Sequence, residues 1–226
     1  MSCLVIAIGT FLATHVVLAE NPVRAVLVRA LGERPFAWVY GIVAVLQLIW
    51  IGQAVEAAPV VRYWEPWDWT TAVPLVVMPL ALLLLVCGFT QNNPTATLAA
   101  GRLARREVTG ILAVTRNPVM WGLGLWSLAH LAVVAEAAEA LRYAAFAALA
   151  LLLLPRIEAK QRAKWGEAAW ADFTARSSNV PFVAMARGRA RLRWREIGWR
   201  RLALTAALYL SILLWLHPRM AGVPAW

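Results

Sequence analysis

The chain has 226 residues, is 62% hydrophobic, carries 13 tryptophans and has a formal net charge of +10. Its mean hydropathy is +0.63. A water-soluble domain of this length does not carry so apolar a composition, and no stretch is left over for a separate soluble domain.

Apolar runs near 2–19, 36–55, 71–90, 118–135, 140–155 and 201–217 approach the ~20 residues that a bilayer span needs. They predict an all-α fold, a polytopic integral membrane helical bundle of about six transmembrane helices forming one domain over 1–226. No internal repeat or low-complexity tract interrupts it. The first run ends in Val-Leu-Ala before Glu20, as a cleavable signal would. It lacks a basic segment ahead of its apolar core, so it is expected to stay as the first span.

Basic residues orient the spans. Arg24, Arg29 and Arg34 follow the first run. The next connection, 56–70, has only Arg62 against Glu56, Glu65 and Asp68. Arg102, Arg105, Arg106 and Arg116 follow the third run, and Glu136 and Glu139 follow the fourth. The 156–200 segment holds most of the remaining charge. Lys and Arg are thus rich, poor, rich, poor and rich, the alternation that six spans require. This places both termini in the periplasm and the basic connections at the cytoplasmic face of a bacterial inner membrane, where membrane lipids of negative charge attract them. The run RGRARLRWR (187–195) has the same explanation. No recognition motif accompanies it, so no nucleic-acid partner is expected.

Asn21-Pro22, Asn93-Pro94 and Asn117-Pro118 each mark a helix start, because Asn caps free N–H groups and Pro suits the first helical position. Interfacial helices are expected over 22–31 and 94–106. Asn117 is expected to cap the fourth span, with Arg116 beside it at lipid phosphates or at a ligand. Within 156–200, Trp165, Trp170 and Phe173 recur at near-helical spacing. They predict an amphipathic helix on the inner surface, with Glu158, Glu167 and Asp172 on its solvated face. Cys3 and Cys87 fall at opposite ends of their spans, too far apart for a disulfide.

There are three histidines. His217 is expected at an interface, but His15 and His130 lie within predicted spans. Ionisable side chains there are costly and face a bundle interior with a partner. Imidazole also ligates haem iron. The pair therefore holds a b-type haem or hydrogen-bonds neighbouring helices. Gly122, Gly124 and Ser127 let a helix or a flat ligand come close to the fourth span. Trp121 and Trp126 would flank a planar cofactor or sit at an interface. Depth is the objection to one shared haem, and it shrinks if the first span runs beyond Ala19, if the helices tilt or if the fourth span begins deeper. His15 is about four residues (~6 Å) from the inner end of its span, and His130 about 12 residues (~18 Å) from the inner end of its own.

Six stretches carry a wider resemblance: GTFLATHVVLA, LGERPFAWVY, YWEP, NNPTA, GILAVTRNPVMWGLGLWSLAHL and SSNVPF. In this order the chain resembles the NnrU family of bacterial membrane proteins, associated with nitrite and nitric oxide metabolism. A plant relative, zeta-carotene isomerase, is a haem-b membrane enzyme. The histidines implicated at its haem match His15 and His130. The resemblance thus implies these two as iron ligands, with Trp126, Ser127, Arg116 and Asn117 around the cofactor. It also implies either isomerisation of a lipid-soluble polyene or redox chemistry related to nitric oxide. Two positions depart. The family's Arg-His-Pro is Arg116-Asn117-Pro118 here, and Ser127 stands where the isomerase has cysteine, so thiolate ligation is lost.

The isoprenylcysteine carboxyl methyltransferases are similar in pattern as well. Their Arg-His-Pro precedes a segment whose order is echoed in PRIEAKQRAKWGEAAWADFTARSSNVPF (155–182). That likeness implies S-adenosylmethionine near Arg116, Asn117 and Glu158, although Ala159 replaces a second glutamate. A non-catalytic membrane factor is the third reading, and no catalytic residue is assigned.

Overall fold

The computed structural model describes residues 1–18, 21–91, 93 and 107–221. The expected interfacial helix over 94–106, the side chains of Arg102, Arg105 and Arg106, and the Asn93-Pro94 start lie outside the described residues. The described chain is helical, with no β-strand among these residues. Its main helices are α1 (Ser2–Val17), α2 (Asn21–Leu31), α3 (Glu33–Glu56), α4 (Ala72–Thr90), α5 (Pro118–Leu131) and α6 (Ala137–Leu152). They continue as α7 (Leu154–Trp165), α8 (Glu167–Arg176), α9 (Val183–Ala186), α10 (Trp194–Ile197), α11 (Trp199–Ser211) and α12 (His217–Ala221).

Each of the six apolar runs holds a helix. Among the described residues, four segments are long and apolar enough to cross a membrane: Glu33–Glu56, Trp69–Thr90, Ala137–Trp165 and Trp199–Arg219. A fifth joins them if α1 and α2 form one bent span. The chain is an all-α helical membrane protein. Helix α3 shows why lipid is its solvent, since Trp38 (75% exposed), Ile42, Leu46 and Ile49 all lie on its open surface. Helix α5 has 14 residues, or about 21 Å, less than the ~30 Å hydrocarbon core. Its run starts inside protein rather than at a surface, because Ile111, Leu112, Ala113, Val114, Thr115 and Asn117 before it are all buried.

The chain divides into two compact units. The first comprises 1–65 and 134–145, the second 66–133 and 146–226. In the first unit, α1 packs on α3 through Leu4, Ala7, Ile8 and Phe11. Thr14 Oγ1 lies 3.0 Å from Gln47 Oε1 across that contact. The loops after α3 and before α6 pair. Tyr63 N–H donates to Ala135 O (3.1 Å) and Ala137 N–H to Val61 O (2.9 Å). The Trp64 indole donates to Val134 O at 2.7 Å. The sequence assigns both acidic connections to one side of the membrane, and in this unit they lie side by side.

In the second unit α4 is the axis. Helix α11 runs antiparallel to it. The Arg201 guanidinium, at the start of α11, donates to Thr90 O at 2.9 Å. At the other end the Tyr209 hydroxyl donates to Leu75 O at 3.1 Å. Leu84, Cys87, Ile111, Val114 and Ile197 form the core cluster. Helices α4 and α5 touch through glycine. A Cβ on Gly122 would lie 2.8 Å from Leu85 Cγ and 2.9 Å from the Ala81 carbonyl oxygen. One on Gly88 would lie 2.6 Å from Val119 Cγ2. Close backbone approach of this kind holds helices together where lipid removes the hydrophobic drive.

Gly122→Ala should therefore lower the melting temperature in detergent, by about 1–3 kcal/mol of overpacking. Gly52→Ala, where an added Cβ meets nothing within 4 Å, should be neutral. Equal melting of the two variants would contradict the α4–α5 contact.

Candidate functional site

The polar centre of the second unit forms where the segment before α5 meets the segment after α8. Residues 114–116 lie against 178–182. Arg116 N–H donates to Ser178 O (2.9 Å) and Phe182 N–H to Val114 O (2.9 Å). The Thr115 hydroxyl donates to Asn179 O at 2.5 Å. Phe182 takes a left-handed φ of 67°, which turns the chain into α9. Ser178 Oγ anchors that turn by accepting Ala184 N–H at 2.9 Å.

This frame aims Arg116 at Glu158 on α7. Nε donates to Oε1 at 2.7 Å and Nη2 to Oε2 at 2.9 Å. The two side chains are 13% and 19% exposed. Arg116 also lies over the Trp170 ring, its Cζ 5.7 Å from the centroid. The Asn117 amide nitrogen donates to Glu158 Oε1 (2.9 Å) and Asn179 Oδ1 (3.1 Å). The Trp121 indole N–H donates to the same Asn179 oxygen at 3.2 Å. Asn117 Oδ1 is buried and has no hydrogen-bond partner among the described residues.

Beside Glu158 opens a groove of about 620 Å3, lined by Pro155, Ala159, Arg162, Gly166, Glu167 and Trp170 as well. Gly166, at φ +82°, ends α7 and starts α8. Only glycine adopts that backbone cheaply. Across this corner Arg162 holds Glu167 through bonds of 2.5 and 2.8 Å. Those bonds hold the Glu167 carboxyl below the usual carboxylate range. The pairing is therefore complete at neutral pH and lost only as acid titrates the folded carboxylate.

Several expectations change here. Asn117 precedes α5, but its side chain makes no cap hydrogen bond. Its amide is taken by a carboxylate and by Asn179. Arg116 is engaged by Glu158 through Nε and Nη2. Glu167 and Asp172 lie on the solvated face as expected, paired with Arg162 and Arg176, whereas Glu158 is turned inward to Arg116. The amphipathic helix is two helices. Its aromatics pack on each other, with Trp165 5.3 Å from Phe173 and 5.6 Å from Trp170 between ring centroids. Phe173 and Trp170 are buried, so these two rings are core, and Trp165 is partly covered. Asn179 is the partner that sequence reasoning missed. Nothing in spacing links it to Asn117, 62 residues away.

The histidines share one geometry. In the first unit, His15 Nδ1 lies 2.8 Å from Phe11 O, with the Phe11 ring 4.0 Å and the Tyr40 ring 5.5 Å away. In the second, His130 Nδ1 lies 2.8 Å from Trp126 O. The Trp126 ring is 5.4 Å from His130 and stacks on Phe146. A carbonyl only accepts, so each Nδ1 carries a proton, and in the neutral imidazole the lone pair is then on Nε2. The small face of α5 belongs to helices. Leu85 and Ala81 cover Gly122, and Leu151 of α6 lies 3.2 Å from where a Gly124 Cβ would stand. Ser127 is fully buried and its Oγ has no hydrogen-bond partner among the described residues. Among the described residues, no group of three His, Cys, Asp or Glu side chains is arranged to hold a metal ion.

Glu158→Ala should cost about 3–5 kcal/mol of stability, since it breaks a nearly buried bidentate ion pair. Glu167→Ala, at an exposed pair, should cost less than about 1 kcal/mol. Detergent melts of both variants, with Arg116→Met/Glu158→Leu recovering part of the loss, check this. A Glu158→Ala melt matching Glu167→Ala would refute it.

A family model described as NnrU protein matches residues 3–225. No curated protein and no solved structure matches the chain.

Proposed function

The chain belongs to the NnrU family, and from that premise we propose that it is a membrane protein that binds haem b through His15 and His130. The shared tether of the two imidazoles carries the reading. Each donates Nδ1–H to the carbonyl four residues earlier, so in the neutral ring the lone pair that an iron would take is on Nε2. Haem and metal histidines are commonly oriented by such a bond to the other ring nitrogen. Trp126 belongs to the same wall through its contact with His130. Arg116 and Asn117 are assigned to the polar network with Glu158 and Asn179 rather than to the haem. A bound haem would supply iron chemistry to a lipid-soluble polyene or to nitric oxide-related redox turnover. The protein's own part is to hold the iron with two neutral imidazoles inside an apolar surrounding. The basic connections favour the bacterial inner membrane, with both termini periplasmic.

One observation favours a second reading. The groove beside Glu158 has a volume of about 620 Å3, within the range of ligand sites. It adjoins the three residues that likeness to the methyltransferases points to for S-adenosylmethionine. Against it, Arg116, Asn117 and Glu158 bond each other, so a ligand carboxylate would compete with Glu158. Calorimetric titration with S-adenosylmethionine separates the readings, and haem binding predicts no heat.

The direct test is a visible spectrum of the detergent-purified protein after expression with a haem precursor. The expected result is a sharp Soret band with low-spin α and β bands, lost in His15→Ala and in His130→Ala. A colourless wild-type protein under the same haem supply would overturn the proposal.

A further inference from the structure

The run 187–195 holds arginines that neither reading uses. After α9 the chain turns back through 189 and 190, whose amides both donate to Ala184 O. Arg189, Arg191 and Arg193 are exposed, while Ala190 and Leu192 are partly covered. Leu192 packs on the core cluster. The alternation leaves the three arginines along one open side of the segment. With Arg176 of α8 they line a concavity of about 410 Å3, and Glu196 is the single carboxylate among its lining residues. That carboxylate is already engaged. It accepts Gly110 N–H at 2.9 Å and lies 3.6 Å from Arg193.

The concavity is held in place. Arg189 Nη1 donates to Thr174 O, Ala175 O and Ser177 O at 3.2, 3.1 and 3.3 Å, fastening the segment to the end of α8. Arg176 is fixed by Asp172 at 2.6 Å. The Gln91 amide donates to Glu196 O at 3.1 Å, which ties α10 to the end of α4. Two exposed tryptophans follow at once. Trp194 is 62% and Trp199 73% exposed, and Trp199 opens the membrane-crossing segment Trp199–Arg219. Indole rings at the start of a span sit at the headgroup level.

We propose that this arginine-lined concavity is a fixed site for the phosphate of an anionic phospholipid headgroup. Guanidinium forks match phosphate oxygens in pairs, and basic hollows beside spans take lipid head groups. The site is distinct from diffuse attraction of a basic loop, because its residues are pinned to α4, α8 and the Gly110–Ala113 turn. It also stands independently of haem.

The test counts lipid retained by the purified chain in native mass spectrometry, after incubation with phosphatidylglycerol and phosphatidylcholine mixed in detergent. Wild-type protein should keep one phosphatidylglycerol in preference to phosphatidylcholine. Arg191→Gln/Arg193→Gln should cut that retention about fivefold or more, the worth of one or more basic residues at an anionic surface. Arg187→Gln/Arg195→Gln removes the same charge outside the concavity and should change retention less than about twofold. Circular dichroism checks folding, and Arg191→Gln alone serves if the double variant unfolds. Equal retention of the two lipids, or equal loss in the two double variants, overturns the proposal. So does displacement of the lipid by millimolar inorganic phosphate or preference for a short oligonucleotide.

Discussion

The second unit depends on the bidentate pair between Arg116 and Glu158. Withdrawing two charges from water costs several kcal/mol per ion unless geometry and further hydrogen bonds offset it. Here both guanidinium contacts are short, and Asn117 adds a third bond to the carboxylate. The pair joins positions 42 residues apart. It thereby sets the start of α5, the face of α7 and, through Asn179 and Trp170, the course of α8 and the turn into α9. The groove takes its wall from this arrangement. Histidine 130, 12 residues beyond Pro118 by numbering, rides on a helix whose origin the pair holds.

The apolar helices were legible because a bilayer demands length and hydropathy together, and no tertiary knowledge is needed to see 36–55 or 71–90. Membership of the NnrU family was equally legible in ordered short stretches such as TRNPVMWGLGLWSLAH. The span ends were less so. Pro118 marks the start of α5 correctly, yet hydropathy cannot tell that the residues before it are buried in protein, so the short α5 reads as a span. Gly166 sits between two helix-like patterns, and spacing alone joins them. The role of Asn117 follows the same logic. Its local preference is to cap through Oδ1, but Glu158 and Asn179 hold the side chain through Nδ2 instead. The partners Glu158 and Asn179 are not encoded in any spacing around position 117.

The small residues of α5 teach a related lesson. Gly122 and Gly124 were open to a flat ligand or to helices, and neighbouring side chains settle both positions in favour of helices. What is left for a cofactor is the histidine end of the helix. The tautomer inferred there follows from a plain rule, that a backbone carbonyl cannot donate. The first unit repeats the arrangement at His15 with a different helix and different rings around it. Two imidazoles prepared in the same way are the strongest chemical regularity outside the packed core. The arginine concavity is a separate device, made of charge rather than ring nitrogen, on the segment that leads into the last span.

The central claim is that both imidazoles ligate one iron. Electron paramagnetic resonance of the oxidised, haem-replete protein tests it most directly. The account predicts the low-spin ferric signal of two imidazole ligands, with one haem per chain. A high-spin signal from an iron with an open axial position, or no haem iron at all, would contradict it.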